Sequence, residues 1–120
     1  MSRRDPYVAI HHMLDNARDA RALYAERTLR GDWDADPMLR EALNAALIRY
    51  MEVIGEAARR VPQGLRACHP EIDWPRIVGL RNRLIHEYDR VSLRLLGQII
   101  RDELPPLIAQ LERMLADRDA

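Results

Sequence analysis

"DPMLREALNAALIRYMEVIGEAARR", residues 36–60, opens on an aspartate followed by a proline and then repeats Leu39, Leu43, Leu47, Tyr50, Ile54 and Ala58 at helical spacing. An aspartate before a helix can accept from its first free N–H groups, and proline suits the first helical position because the N–H it lacks has no partner there. The apolar steps then draw one stripe along a helix that ends near Arg60, before Pro62 and Gly64. Gly55 sits inside this helix, where it costs stability relative to alanine unless another helix passes close by, so the sequence predicts a helix contact at Gly55.

The same signals recur on both sides. Asp5 and Pro6 start a first helix carrying Tyr7, Ile10, Leu14, Ala17 and Tyr24, expected to run to about residue 29 before "RGDWDADPM" breaks it. Residues 61–73, "VPQGLRACHPEID", read as a connection with one short helical turn. Asp73 can cap a third helix with Ile77, Leu80, Leu84 and Ile85 on it, and Ser92 can cap a fourth with Leu95, Leu96, Ile99, Leu104, Leu107, Leu111 and Met114. Pro105 and Pro106 should bend or interrupt that last helix. Nothing reads as a strand. Four helices with short connections predict a single all-α domain over residues 1–120, an antiparallel four-helix bundle.

Composition narrows the classes of function. No apolar run is long enough to span a membrane, the N-terminus lacks the apolar stretch of a secretory signal, and Cys68 is the single cysteine, so a cytoplasmic protein with no membrane association is expected. All 19 basic residues are arginine and balance 19 acidic ones, which argues against coating of nucleic acid through bulk charge. Any such contact must be local. From residue 76 to 94 the arginines at 76, 81, 83, 90 and 94 outnumber Glu87 and Asp89. Metal patterns fail: no histidine has a glutamate three positions before it, His86 and Glu87 do not continue into a zinc-protease motif, and "DWDADP" puts Pro37 where a calcium loop needs glycine. No metal and no cofactor are expected.

Within "GLRNRLIHEYDRV", residues 79–91, one helix would place Arg81, Leu84, Ile85 and Tyr88 on one face, with Asn82 and His86 beside each other on an adjoining strip. Arg83 and Glu87 would form a surface ion pair. Arg81 and His86 would lie about 140° apart around a straight helix. They could serve one small group only if the helix breaks near His86 or if a second copy supplies its own cluster across a twofold axis, the arrangement favoured here. Histidine moves protons near neutral pH, arginine neutralises charge on a phosphoryl group, and Asn82 can orient either. Because RNA brings its own 2′-hydroxyl nucleophile, these groups suit cleavage of RNA without metal. The alternative is that they merely finish a helix with the cationic end its dipole favours.

"RNRLIHEY" (81–88) resembles the Arg-x4-His-x-Tyr motif of the HepT-like branch of the HEPN superfamily. "RYMEVIGEAARRVP" (49–62), "HPEIDWPRIVGLRNRLIHEYDRV" (69–91) and "LPPLIAQL" (104–111) resemble that family's second helix, motif segment and last helix, in order. The resemblance implies a homodimeric HEPN-like bundle acting as a toxin, a metal-independent endo- or exoribonuclease. It implies Arg81 and His86 as catalytic, Asn82 as the supporting polar position, and Tyr88 as the hydroxyl to which a nucleotidyltransferase antitoxin of the MntA type transfers AMP. Glu56 matches a recurrent family glutamate that would hold an arginine or histidine across the bundle. Arg76, Arg83 and Arg90 are the arginines expected to contact RNA. The competing reading makes the chain a non-catalytic helical partner, or substrate-recruiting subunit, of a nucleotidyltransferase.

Overall fold

The computed structural model describes residues 5–31, 35–86 and 90–119. Two long helices, α1 (Tyr7–Arg30) and α2 (Pro37–Arg60), form a hairpin packed along its length. Both begin where the sequence signals predict. Asp5 accepts from the Tyr7 N–H at 2.9 Å, and Asp36 accepts from Met38 and Leu39 at 3.0 and 3.3 Å. α1 stops at Gly31, whose φ of 69° is the left-handed conformation that glycine adopts freely and whose N–H closes on the Arg27 carbonyl.

The connection after α2 contains the single short turn predicted for it, α3 (Gln63–Ala67). Arg66 folds back so that its Nε and Nη2 donate to the carbonyls of Val61 and Arg59, at 3.0 and 2.8 Å, which satisfies acceptors that the end of α2 leaves open. Asp73 caps α4 (Trp74–Val78) through the Arg76 N–H, and the Trp74 Nε1 donates to the His69 carbonyl at 3.0 Å.

The expected third helix is shorter and divided. It turns at Gly79 into α5 (Leu80–Leu84) and ends there, because Ile85 is extended (φ −84°, ψ 122°). Two residues on each side then pair antiparallel, β1 (Ile85–His86) with β2 (Arg90–Val91), where the sequence reading expected no strand. The pairing sets β-branched Ile85 opposite Val91, and the Ser92 N–H reaches the Leu84 carbonyl at 2.7 Å, so backbone groups released by the helix end find partners. Ser92 then caps α6 (Leu93–Gln98) through Leu95.

The last helix is interrupted just before the two prolines. Residues Ile99–Glu103 form a π-helical segment in which the Leu104 N–H bonds to the Ile99 carbonyl, and α7 (Leu104–Asp119) follows. The wider turn gives the Pro105 and Pro106 rings room against the preceding carbonyls. The core joins all these elements: Ile10, Met13, Leu47, Met51, Ile54, Leu80, Leu84, Leu96, Ile99, Ile100, Leu104 and Leu111 are essentially fully buried. On α2 burial begins late, since Met38 and Leu39 remain exposed and the stripe closes only from Leu47. The architecture is the expected all-α bundle. No helix among the described residues is long and apolar enough to cross a membrane.

The helix contact predicted at Gly55 is present, and its partner is backbone. A Cβ at Gly55 would lie 3.2 Å from the Ile77 carbonyl oxygen and 3.3 Å from that of Val78, so α4 rests directly on α2. Gly55→Val is expected to destabilise the chain by about 1–3 kcal/mol in urea unfolding, the usual range for overpacking. Gly64→Ala, whose new Cβ meets nothing within 4 Å, should be neutral or slightly stabilising in the same measurement.

Candidate active site

The close seat of α4 on α2 carries α5 alongside the second half of α2. Arg81 and Asn82 on α5, with Val78, then line a recess with Glu52, Gly55, Glu56 and Arg59 of α2. Three of the residues singled out from sequence, Arg81, Asn82 and Glu56, are therefore brought together. Glu52 and Arg59 were missed, although Glu52 precedes Glu56 by one helical turn and so shares its face.

Arg81 is held loosely. Its side chain is 67% exposed and its Nε stands 3.8 Å from Glu52 Oε2. Exposed ion pairs of this length contribute about 0–1 kcal/mol, so a phosphate could replace the carboxylate at little cost. On the other side of Arg81 a second, more apolar recess is lined by Ile48, Glu52, Leu84, Ile85 and Val91. The arginine thus stands as a ridge between the two recesses, and Glu52 lines both.

The chain turns away from helical geometry immediately after this ridge. Because α5 ends at Leu84, the straight-helix separation of Arg81 from His86 does not apply. The backbone thus contains the break near His86 that was one of the two expected routes. His86 lies in β1, its backbone opposite that of Arg90. Glu87, Tyr88 and Asp89, and the side chains of His86 and Arg90, lie outside the described residues, and with them the expected Arg83–Glu87 pair and the Tyr88 hydroxyl.

Arg76 and Arg83, expected to contact RNA, are engaged elsewhere. Arg83 grips Glu103 with both terminal nitrogens, Nη1 to Oε1 at 2.9 Å and Nη2 to Oε2 at 2.6 Å. Arg76 adds Nε to Oε1 at 3.1 Å and Nη2 to Oε2 at 3.3 Å. Glu103 ends the π-helical segment, so this clamp ties α4 and α5 to the start of α7. The reason sequence spacing missed it is distance along the chain: 20 residues separate Arg83 from its partner. The Arg83 hydrogen bonds, helped by Arg76 and opposed by burial, hold the Glu103 carboxyl below its ordinary value of 4.5.

Among the described residues, no three His, Cys, Asp or Glu side chains gather as a metal site. His69 faces Glu71, with Nδ1 at 3.2 Å from Oε1, and Cys68 beside it is exposed and free.

Comparison with known proteins gives a consistent pattern. Residues 13–114 match the family model described as ribonuclease HepT-like. A protein of Methanocaldococcus jannaschii, named as a candidate RNase, is 32% identical over 112 residues, covering 93% of this chain and 98% of that one. A candidate RNase of Caldanaerobacter subterraneus is 37% identical over 84 residues, 70% of this chain and 71% of its own length. A protein of Thermococcus cleftensis, named as a candidate ribonuclease HepT, is 36% identical over 69 residues, 58% of this chain and 63% of its own. No solved structure gives a significant match.

The Glu103 clamp has a measurable consequence for stability. A carboxyl with a lowered folded-state pKa stabilises the fold above its unfolded value and ceases to do so as pH falls through the folded one. Wild-type stability from this source should therefore be complete above about pH 5 and decline below 4.5. Glu103→Gln is expected to cost about 1–2 kcal/mol at pH 7, since Arg83 loses its charged, hydrogen-bonded partner. Urea midpoints of the two proteins should converge as the pH is lowered; a constant gap from pH 7 to 3 would assign the clamp no such role.

Proposed function

The chain belongs to the ribonuclease HepT-like family, and from that premise we propose that it is a metal-independent ribonuclease, the toxin of a toxin–antitoxin pair. Arg81 is the phosphate-binding and charge-stabilising group, His86 is the proton-transfer group, and Asn82 and Glu56 support them. The 2′-hydroxyl oxygen attacks the adjacent phosphorus and gives its proton to a base. The bond from phosphorus to the 5′-oxygen breaks, and that oxygen takes a proton as it leaves. His86 serves as base or acid in this exchange, while Arg81 neutralises the charge gathered on the phosphorane oxygens.

The observation that carries this reading is the placement of Arg81, exposed and weakly paired, at the rim of a recess it shares with Asn82 and Glu56. That recess, at about 170 Å³, is smaller than the roughly 300–1,000 Å³ usual for ligand pockets. A strand of RNA would need more wall than one protomer offers, which favours a homodimer whose two recesses share a cleft. Arg90 is the motif-flanking arginine assigned to RNA in that cleft. Arg76 and Arg83 act through Glu103 instead, by holding the segment that bears Arg81.

Regulation by an MntA-type nucleotidyltransferase fits the same chemistry. The Tyr88 hydroxyl would attack the α-phosphorus of ATP, pyrophosphate would leave, and the tyrosine would carry AMP. A bulky anion on Tyr88, seven residues beyond Arg81, would oppose an incoming RNA phosphate by both charge and volume.

Arg81→Ala and His86→Ala are each expected to reduce cleavage of total RNA by about 10²-fold or more, as loss of a general acid–base or electrostatic group does. Thermal unfolding of Arg81→Ala should stay within about 0.5 kcal/mol of wild type because the side chain is exposed. Unchanged cleavage by both variants would leave the non-catalytic partner of a nucleotidyltransferase as the reading to adopt. Co-expression with such an enzyme should add one or more AMP units by intact mass and silence the nuclease, and Tyr88→Phe should abolish both effects; AMP found on another residue would remove Tyr88 from the switch.

A further inference from the structure

The arginines of this chain differ in what holds them. Arg18, Arg30, Arg76, Arg83 and Arg118 each rest on a carboxylate. Arg94 and Arg101 do not: among the described residues Arg94 makes no hydrogen bond or ion pair, and Arg101 donates from Nη1 to the Tyr24 hydroxyl at 2.6 Å, a neutral partner. Both line one cleft between the end of α1 and α6, with Tyr24, Arg27, Thr28, Gly31, Leu93 and Gly97. Among the described residues no acidic side chain lines it.

The cleft is built around the Tyr24 ring. The guanidinium carbons of Arg101 and Arg27 lie 6.0 and 5.9 Å from the ring centroid, and Arg27 Nη1 is oriented by Asn44 Oδ1 at 3.1 Å. Gly97 leaves the space this requires. A Cβ there would stand 3.0 Å from Arg101 Nη1 and 3.1 Å from the Tyr24 hydroxyl oxygen. Arg94 and Arg101 bring two guanidinium groups without a carboxylate partner among the described residues to one cleft, and an anion seated between them relieves their mutual repulsion. The volume, about 360 Å³, is twice that of the Arg81 recess and admits a phosphate with its sugar.

We infer that this cleft is a second phosphate-binding site, in which Arg94 and Arg101 hold a backbone phosphate of the RNA strand. The inference rests on the ribonuclease reading for the identity of the strand, and on the cleft alone for the anion. The connection between the two sites is short. Leu93, one of the residues lining the cleft, follows directly on Ser92, whose N–H bonds to the Leu84 carbonyl at the end of the segment bearing Arg81. A strand passing the Arg81 ridge would thus have a second anchor, neutral ring and cationic forks together, as in sites that bind single strands.

The test uses the full chain and a labelled single-stranded oligonucleotide of 2′-O-methyl ribose, which binds without being cleaved. Affinity is followed against salt for the wild type, Arg94→Gln, Arg101→Gln and, as a charge-matched control, Arg113→Gln on the exposed face of α7. The expected result is several-fold weaker binding for the two cleft variants and a salt slope shallower by about 0.7 for each, the value for one single-strand phosphate, with the control nearer wild type. Equal losses in all three variants, or no loss in any, would overturn the site while leaving the ribonuclease reading standing. No binding by the wild type would overturn both. Adenosine monophosphate is the probe for the other source of the same chemistry: if it binds wild type tightly and loses affinity in the cleft variants while the oligonucleotide does not, the site takes a free nucleotide and the assignment to RNA fails.

Discussion

The approach of α4 to α2 at Gly55 is the constraint on which the rest of the molecule depends. With carbonyl oxygens of Ile77 and Val78 at 3.2 and 3.3 Å from where a side chain would begin, no other residue leaves the two backbones where they are. That approach fixes the path of α5, and α5 in turn sets Arg81 and Asn82 against Glu52 and Glu56. A glycine that costs helix stability locally is thus compensated by the packing of Trp74, Ile77, Leu80 and Leu84 behind it.

A second long-range device secures the same segment from the other side. The π-helical turn before Pro105 and Pro106 ends on Glu103, and Glu103 collects Arg83 and Arg76. The prolines and the clamp are linked: a helix that must widen to accommodate two missing donors ends that widening on the carboxylate gripped by α4 and α5. The side chain of Arg83 is 19% exposed, so its pairing excludes water more than the surface pairs do, whereas Arg81 at 67% is left in solvent. Two residues apart in sequence, one arginine serves the fold and the other stands available to a ligand.

Zero net charge therefore hides a division of labour. Carboxylates hold those arginines that tie elements together, such as Arg118 on Asp5 across the two ends of the chain and Arg18 on Glu112 between α1 and α7. Among the described residues Arg94 and Arg101 lack such partners and line a cleft with no acidic side chain, and Arg81 has only a distant one. Counting charge over the chain, or even over residues 76–94, cannot separate these roles, because the separation depends on which carboxylate each arginine reaches.

The sequence by itself determined the helices, their starts and the close contact at Gly55. Asp36 with Pro37, Asp73 and Ser92 cap by bonding N–H groups two or three residues away, and a glycine inside an apolar stripe signals close approach wherever it lies. It also brought out Arg81, Asn82 and Glu56 through the family's motifs. Only the tertiary structure decided that α5 ends at Leu84, because that end is stabilised by Val91 and Ser92, several residues on, and not by anything within the helix. Likewise only the fold chose Glu103 as the partner of Arg83, Glu52 as the neighbour of Arg81, and Tyr24 as the support of Arg101, 77 residues away. Capping and periodicity act over one or two turns of chain and leave a readable pattern; ion pairs and clefts form between whatever the packed core brings together, and no local pattern records them.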